Sequence, residues 1–198
     1  MPPITRNEFL KLSSIYINSL PKNIKEAIKY YTNDGEKLNN YLETNECFST
    51  RSTLNNYIEL LDIAFKNAPR TTIPITVYRG LMFPYIKQTI KGLYPNNFFN
   101  GKHYIRTINT LFGYKAKYNG YISTTLYKHT AVTNFYSFDN RSVILEIEIP
   151  IGSPVLYLGE ISIHTENEIL LPRGSVLETV GFKREKNVNI LKAKLVLE

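Results

Sequence analysis

The residues with the most obvious capacity for chemistry are Glu166 and Glu168, at the head of the stretch ENEILLPRG that runs to Gly174. The apolar run after them reads as a strand. Alternate side chains of a strand share a face, so the two carboxylates are expected to point the same way, with Asn167 opposite. Like charges held side by side oppose one another's ionisation, and suit a place where they grip a cation or move protons. A solvated strand edge is the plainer alternative, and what lies upstream weighs against it. Val77-Tyr78-Arg79-Gly80 ends a strand pattern with a guanidinium and then a glycine, which lets a ligand come close to the backbone. Gly120-Tyr121-Ile122-Ser123-Thr124-Thr125 ends a second strand pattern with three consecutive hydroxyls.

These groups need a scaffold, and the chain changes character near residue 72. Upstream, apolar residues recur at helical spacing over Arg6–Leu20, Lys22–Tyr31, Gly35–Thr44 and Ser52–Asn67, as in Ile24, Ile28 and Tyr31 or Leu54, Ile58, Leu61, Ile63 and Ala64. Pro21 suits a helix start, and Ser52 or Thr53 an N-cap. Downstream, short segments rich in β-branched and aromatic residues predict strands at Ile75–Arg79, Gly120–Ser123, Val143–Ile149, Glu168–Leu171, Ser175–Val180 and Asn189–Leu197. Gly181–Asn189 reads as a charged hairpin connection. The pattern is that of one α+β domain over residues 1–198, with a helical lead-in (1–72) packed on an antiparallel β-sandwich core (73–198). Leu81–Asn119, irregular, aromatic and basic, is expected to hold a further helix and loops.

Composition narrows the function classes. With 43% hydrophobic and 13% aromatic residues among 198, the chain is globular. No apolar run approaches the roughly 20 residues that span a bilayer. The N-terminal MPPITRNEFLKLSS lacks a basic head followed by an apolar stretch, which predicts a cytoplasmic protein or one delivered into a host cell without a classical signal peptide. Cys47 is the single cysteine, and His103, His129 and His164 are not spaced for a metal with it or with acids, so no metal is expected. The net charge of +7 is uneven. No acid lies between Asp62 and Asp139, where ten Lys and Arg residues, Arg79 among them, make a positive field suited to a phosphate-bearing ligand or an acidic partner.

Taken in order, the Arg-Gly, Ser-Thr-Thr and Glu-x-Glu motifs resemble those of the mono-ADP-ribosyltransferases of the R-S-E class, which holds the iota-like exoenzyme toxins and the arginine-specific vertebrate enzymes. The resemblance runs through Tyr30-Tyr31-Thr32, the helix Leu60–Phe65 and the strand pair Ile144–Leu158, and is most specific over Glu166–Glu178. It implies the ADP-ribosyltransferase fold, NAD as co-substrate and a protein substrate that presents arginine. By position it implies that Arg79 anchors NAD through its phosphates and the nicotinamide-side ribose, and that Gly80 receives the nicotinamide amide. Ser123 would brace Glu168, which bonds the ribose 2′-hydroxyl, and Glu166 would serve transfer to arginine. Phe138-Asp139-Asn140-Arg141 resembles the phosphate–nicotinamide loop, implying stacking by Phe138 and phosphate binding by Arg141, with Phe135 a competitor for the stacking role.

The chemistry is consistent with those roles. Breaking the nicotinamide–ribose bond leaves positive charge on the ribose, which a fixed carboxylate stabilises as in glycoside hydrolysis. An arginine acceptor with a pKa above about 12 needs a carboxylate to hold it and help take its proton. No Gly-x-Gly-x-x-Gly occurs, so NAD is not held in the Rossmann manner. The chain also departs from the family pattern. Glu43 stands in Asn39-Asn40-Tyr41-Leu42-Glu43 where relatives often carry arginine, and Ile163 stands where they often carry a target-recognising aromatic. Two other readings are an NAD glycohydrolase, in which water replaces arginine, and a non-catalytic basic module that stacks aromatics on nucleic acid; nucleic acid is the least favoured partner.

Overall fold

A capping box opens the first helix, α1 (Arg6–Ser19): the Thr5 hydroxyl accepts the Glu8 N–H, and the Glu8 carboxylate accepts the Thr5 N–H at 2.6 Å. The next two predicted helices prove to be one, α2 (Lys22–Thr44), kinked at Asp34, where φ is −127° and ψ 27°. Asn33-Asp34-Gly35 therefore bends the helix without ending it. The third helix, α3 (Arg51–Lys66), starts ahead of Ser52 and Thr53, so both lie in its first turn and neither is its N-cap. On α3 Ile63 is 46% exposed, and Phe65 faces the interior along with Leu54, Ile58, Leu61 and Ala64.

The computed structural model describes residues 5–44, 51–82, 112–136, 142–162 and 167–197. Past α3 these form eight strands and a short helix: β1 (Ile75–Met82), β2 (Lys115–Lys117), β3 (Ile122–Thr125), α4 (Lys128–Phe135), β4 (Ser142–Ile149), β5 (Leu156–Tyr157), β6 (Glu168–Leu171), β7 (Val176–Glu185) and β8 (Val188–Val196). They hydrogen-bond in the order β2-β7-β8-β4-β1-β3-β6-β5. Every neighbouring pair is antiparallel except β4 and β8, which run parallel. The α+β class and the β core match expectation, with that one parallel pair added. The charged hairpin is shorter than expected: β7 continues to Glu185, and the turn is Lys186-Asn187 alone, both at positive φ. Two such residues give the twist that joins right-twisted strands tightly.

Strand alternation divides the core. Ile75, Val77 and Leu81 of β1, Leu145 and Ile147 of β4, and Leu191, Ala193 and Leu195 of β8 share one cluster with Ala116 and Leu177 at one end of the sheet and Ile122, Ile169 and Leu171 toward the other. The sheet thus doubles over on itself into two layers with a common interior, the sandwich the sequence predicts. Outside it, Leu156, Leu158, Leu170 and Tyr121 pack against the buried faces of α1, α2 and α3. On the remaining flank, Ala131 and Tyr136 of the α4 region cover Ile144, Val188 and Ile190. Full burial of each such aliphatic side chain contributes about 1.5–3 kcal/mol.

One weak seam crosses this sheet. β1 and β4 pair from Ile75 opposite Ile149 to Gly80 opposite Ile144 and beyond, but β1 and β3 meet in register only at Tyr78 and Thr125. The two halves of the sheet splay from that point, and Arg79, Ser123 and Glu168 lie along the splay.

Candidate functional site

Arg79 leaves β1 beside the seam, and its Nη1 donates to the carbonyl of Ser123 at 2.8 Å. A guanidinium so placed ties β1 to β3 where the strands no longer bond each other. Its Nε is buried and has no partner among the described residues. A charged donor left unbonded in the interior is costly, so Arg79 has hydrogen-bonding capacity in reserve for an anionic group. Gly80 follows it, opposite Ile144 on β4.

Ser123 and Glu168 lie on neighbouring strands. In the β3–β6 ladder Ser123 is opposite Leu170 and Thr125 opposite Glu168, so Ser123, Thr125, Glu168 and Leu170 share the face toward the helices. The Ser123 hydroxyl donates to Glu168 Oε1 at 2.6 Å. The Ser162 hydroxyl donates to Glu168 Oε2 at 2.9 Å. Glu168 is 5% exposed, and a carboxylate is kept in such a place when donors satisfy it. Thr124, which alternates to the other face, closes its own hydroxyl onto the Ile169 carbonyl at 2.6 Å and is structural.

The premise that Glu166 and Glu168 alternate along one strand does not survive. β6 begins at Glu168, and Asn167 just before it has φ +49°, a left-handed conformation that asparagine tolerates better than most residues. Asn167 is pinned there by the Tyr157 hydroxyl, which donates to its Oδ1 at 2.9 Å, and by the Leu126 N–H, which donates to its carbonyl at 3.3 Å. Extended alternation therefore stops at Glu168. Glu166 itself lies outside the described residues, as do Ile163, Phe138 and Arg141. Phe135 is the last residue of α4, which packs over β1 and β3; its side chain is likewise outside the described set.

The helical layer fixes the strand that carries Ser123, and sequence reasoning missed how. Asn39 of α2 faces the Tyr121 peptide with both ends of its amide: the Tyr121 N–H donates to Oδ1 at 2.9 Å and Nδ2 donates to the Tyr121 carbonyl at 2.9 Å. Tyr31 donates to the same carbonyl at 3.2 Å. The approach needs a glycine, because a Cβ on Gly120 would stand 2.5 Å from Asn39 Oδ1. The Tyr121 ring runs back between the helices, edge-on to Tyr31 and stacked on Phe65. Its hydroxyl donates to Asp62 at 2.8 Å, whose carboxylate is gripped by Nε and Nη2 of Arg173. Burial foremost, then the Asp62 charge, raises the Tyr121 pKa well above the usual phenol range. The same Asp62 bond raises the pKa of Arg173. Asn39 and Gly120 both stand in stretches noted in the sequence, but only a contact between distant parts of the chain shows them as partners.

A second buried phenol lies near Arg79. Tyr118 is 7% exposed, its hydroxyl has no partner among the described residues, and burial raises its pKa, moderated by the Arg79 charge and reinforced by Glu43. Glu43 and Arg79 thus act on the same buried phenol. The positive field over residues 62–139 is partly neutralised locally, since Lys115 pairs with Glu178 and Lys128 with Glu185. Among the described residues no cluster of His, Cys, Asp and Glu could hold a metal, and no helix is long and apolar enough to cross a membrane.

An arginine with spare donors, a serine and a buried carboxylate joined through 2.8 and 2.6 Å contacts fit a ligand with phosphates and a sugar whose carbon becomes cationic. The sequence profile of the ADP-ribosyltransferase exoenzymes matches residues 10–198. The chain belongs to that family. Its fold matches Plx2a, an ADP-ribosyltransferase toxin from Paenibacillus larvae, with TM-score 0.76 and 25% identity over 94% of this chain and 92% of that one. The Clostridium limosum C3 exoenzyme gives TM-score 0.72 and 25% identity over 94% and 90% of the two chains. C3stau2 from S. aureus, solved with NAD, gives TM-score 0.73 and 22% identity over 98% and 97%. No curated protein sequence matches. The protein is thus an NAD-dependent mono-ADP-ribosyltransferase of the exoenzyme toxin class.

Proposed function

We propose that this ADP-ribosyltransferase acts as a single catalytic domain that moves ADP-ribose from NAD to arginine side chains of a protein and releases nicotinamide. The observation that carries the reading is the buried Glu168, braced by Ser123 while Arg79 holds the Ser123 carbonyl. The residues present suit NAD: the Arg79 Nε, without a partner among the described residues, is a donor for its diphosphate, and Arg141 is assigned as a second cation there. Gly80 offers backbone groups to the nicotinamide amide, and Phe138 or Phe135 the stacking surface. When bound, NAD supplies a ribose carbon whose bond to nicotinamide breaks with the electron pair leaving on nicotinamide. Glu168 stabilises the positive charge that develops on that ribose and bonds its 2′-hydroxyl. Glu166 holds the incoming guanidinium and accepts the proton that one of its nitrogens loses on bonding to the ribose carbon.

The acceptor assignment rests on the Glu-x-Glu spacing, and the enzyme assignment on the family and on Glu168. Labelled NAD with agmatine, free arginine or a protein lysate separates them. Transfer to agmatine that Glu166→Ala abolishes while NAD cleavage persists supports the assignment. Transfer only to a protein, on an amide or another side chain and without competition from agmatine, refutes arginine as acceptor. NAD cleavage with no acceptor at all favours the glycohydrolase reading.

A further inference from the structure

Both oxygens of Glu168 are held, by hydroxyls from opposite sides. Ser123 on β3 holds Oε1, and Ser162 holds Oε2 from the stretch that follows the 3-10 turn Gly159–Ile161. We propose that Ser162 is a positioning residue, which fixes the rotation of the Glu168 carboxylate. The inference rests on the proposed role of Glu168 and adds to it a second brace that no sequence motif marks.

The local fold brings Ser162 there by several independent constraints. Tyr157 pairs with Ile169, and the Leu158 N–H donates to the Glu168 carbonyl at 3.0 Å, so this strand end runs beside Glu168. Gly159, at φ +50°, then reverses the chain into the 3-10 turn, closed by the Ile161 N–H on the Leu158 carbonyl at 3.0 Å. Asn167, the residue at which the chain re-enters β6, is pinned by Tyr157 and Leu126. Ser162 and Asn167 are thereby both held beside Glu168, Ser162 by the carboxylate itself. One donor on Oε1 would leave the carboxylate free to turn about its last side-chain bond; a second on Oε2 sets its plane. Hydrogen bonds to an ionised carboxylate favour its charged form, so losing one moves its protonation to higher pH. Among the described residues, Arg79 from β1, Ser123 from β3 and Tyr31 from α2 also stand by this carboxylate, and the Tyr31 hydroxyl feels the charges of both Arg79 and Glu168.

The test is steady-state nicotinamide release from NAD as a function of pH, on the full chain, for wild type, Ser162→Ala and Ser162→Thr, with Glu168→Gln as control. A hydrogen bond to a charged group has an effect of about tenfold or more on a rate that depends on it. Ser162→Ala is expected to lower kcat at least about tenfold with KM for NAD held within about threefold, and to shift the acidic limb of the profile upward. Ser162→Thr, which keeps the hydroxyl, is expected to restore kcat and return the limb. An unchanged kcat and limb in a folded Ser162→Ala protein overturns the proposal, and so does a Ser162→Thr enzyme no better than Ser162→Ala. Activity in Glu168→Gln equal to wild type would instead refute the role of Glu168 and leave the two failures distinguishable.

Discussion

A methyl group added at residue 120 tests how the helical layer holds the site strand. The Cβ of Gly120→Ala would lie 2.5 Å from Oδ1, 2.7 Å from Cγ and 3.1 Å from Cβ of Asn39. Contacts below 3 Å force the amide away, and the amide makes both hydrogen bonds to the Tyr121 peptide. The Tyr121 carbonyl keeps Tyr31 as a donor, whereas its N–H loses the Asn39 acceptor. A buried unsatisfied N–H costs about 1–3 kcal/mol, and residual overlap adds about as much again, so Gly120→Ala is expected to destabilise by about 2–6 kcal/mol. Domains of this size lose about 2–4 °C in Tm per kcal/mol. Asn39→Ala is expected to cost about 2 kcal/mol through the same orphaned N–H. It also removes Oδ1 and Cγ, the two atoms that the added methyl approaches below 3 Å, and leaves only Cβ at 3.1 Å, so combining it with Gly120→Ala should cost little more. Urea unfolding of wild type, both single variants and the double variant gives the cycle. The coupling should exceed about 1 kcal/mol, with the double variant more stable than the sum of the two losses predicts. Additive losses would show that Asn39 is not what residue 120 must avoid, and would refute the amide clamp.

Two further outcomes follow from buried phenols. Tyr118→Phe removes a hydroxyl with no partner among the described residues, so it is expected to leave stability unchanged or raise it by about 1 kcal/mol in urea unfolding, whereas a loss of that size would reveal an unseen hydrogen bond. Burial raises Tyr31 to about 12 from an ordinary value of 10.0 and displaces Tyr118 and Tyr121 in the same direction. A raised folded-state pKa gives stability that is complete below the unfolded value and is lost as pH rises through the folded one. Stability should therefore hold up to about pH 10 and fall toward about pH 12, with the last part of the tyrosinate absorbance, that of the buried phenols, appearing together with the loss of helical circular dichroism. Full tyrosinate formation near the ordinary phenol pKa in a still-folded protein would contradict the burial of these side chains.

How much is legible in the sequence follows the range of the interactions. Helical spacing and β-branched runs report local burial, so α1, α3 and most strands fall within a few residues of their expected bounds. Asn33-Asp34-Gly35 reads as a break because propensity favours one, but α2 is held on both sides of Asp34 by Tyr31 and Leu38 in the same core. Gly181–Asn189 reads as a loop because it is charged. Lys183, Arg184 and Glu185 lie instead on ladder positions, and Lys183 meets Glu146 across the sheet at 3.1 Å. The motif order locates Arg79, Ser123 and Glu168, which the fold does bring together. Ser162, Asn39 and Tyr118 escape because a serine after a turn, an asparagine on a helix and a tyrosine near a strand carry no local mark of what they touch. The same-face argument for Glu166 and Glu168 fails on one dihedral, since a left-handed Asn167 cannot be read from alternation.

The measurement that bears most directly on the proposed chemistry is NAD cleavage by wild type and Glu168→Gln under identical conditions, with folding verified by urea unfolding. The substitution keeps the shape of the side chain and removes the charge that would stabilise the ribose cation, so nicotinamide release is expected to fall by about two to three orders of magnitude or more with Tm little changed. A folded Glu168→Gln protein that releases nicotinamide at the wild-type rate would contradict the account.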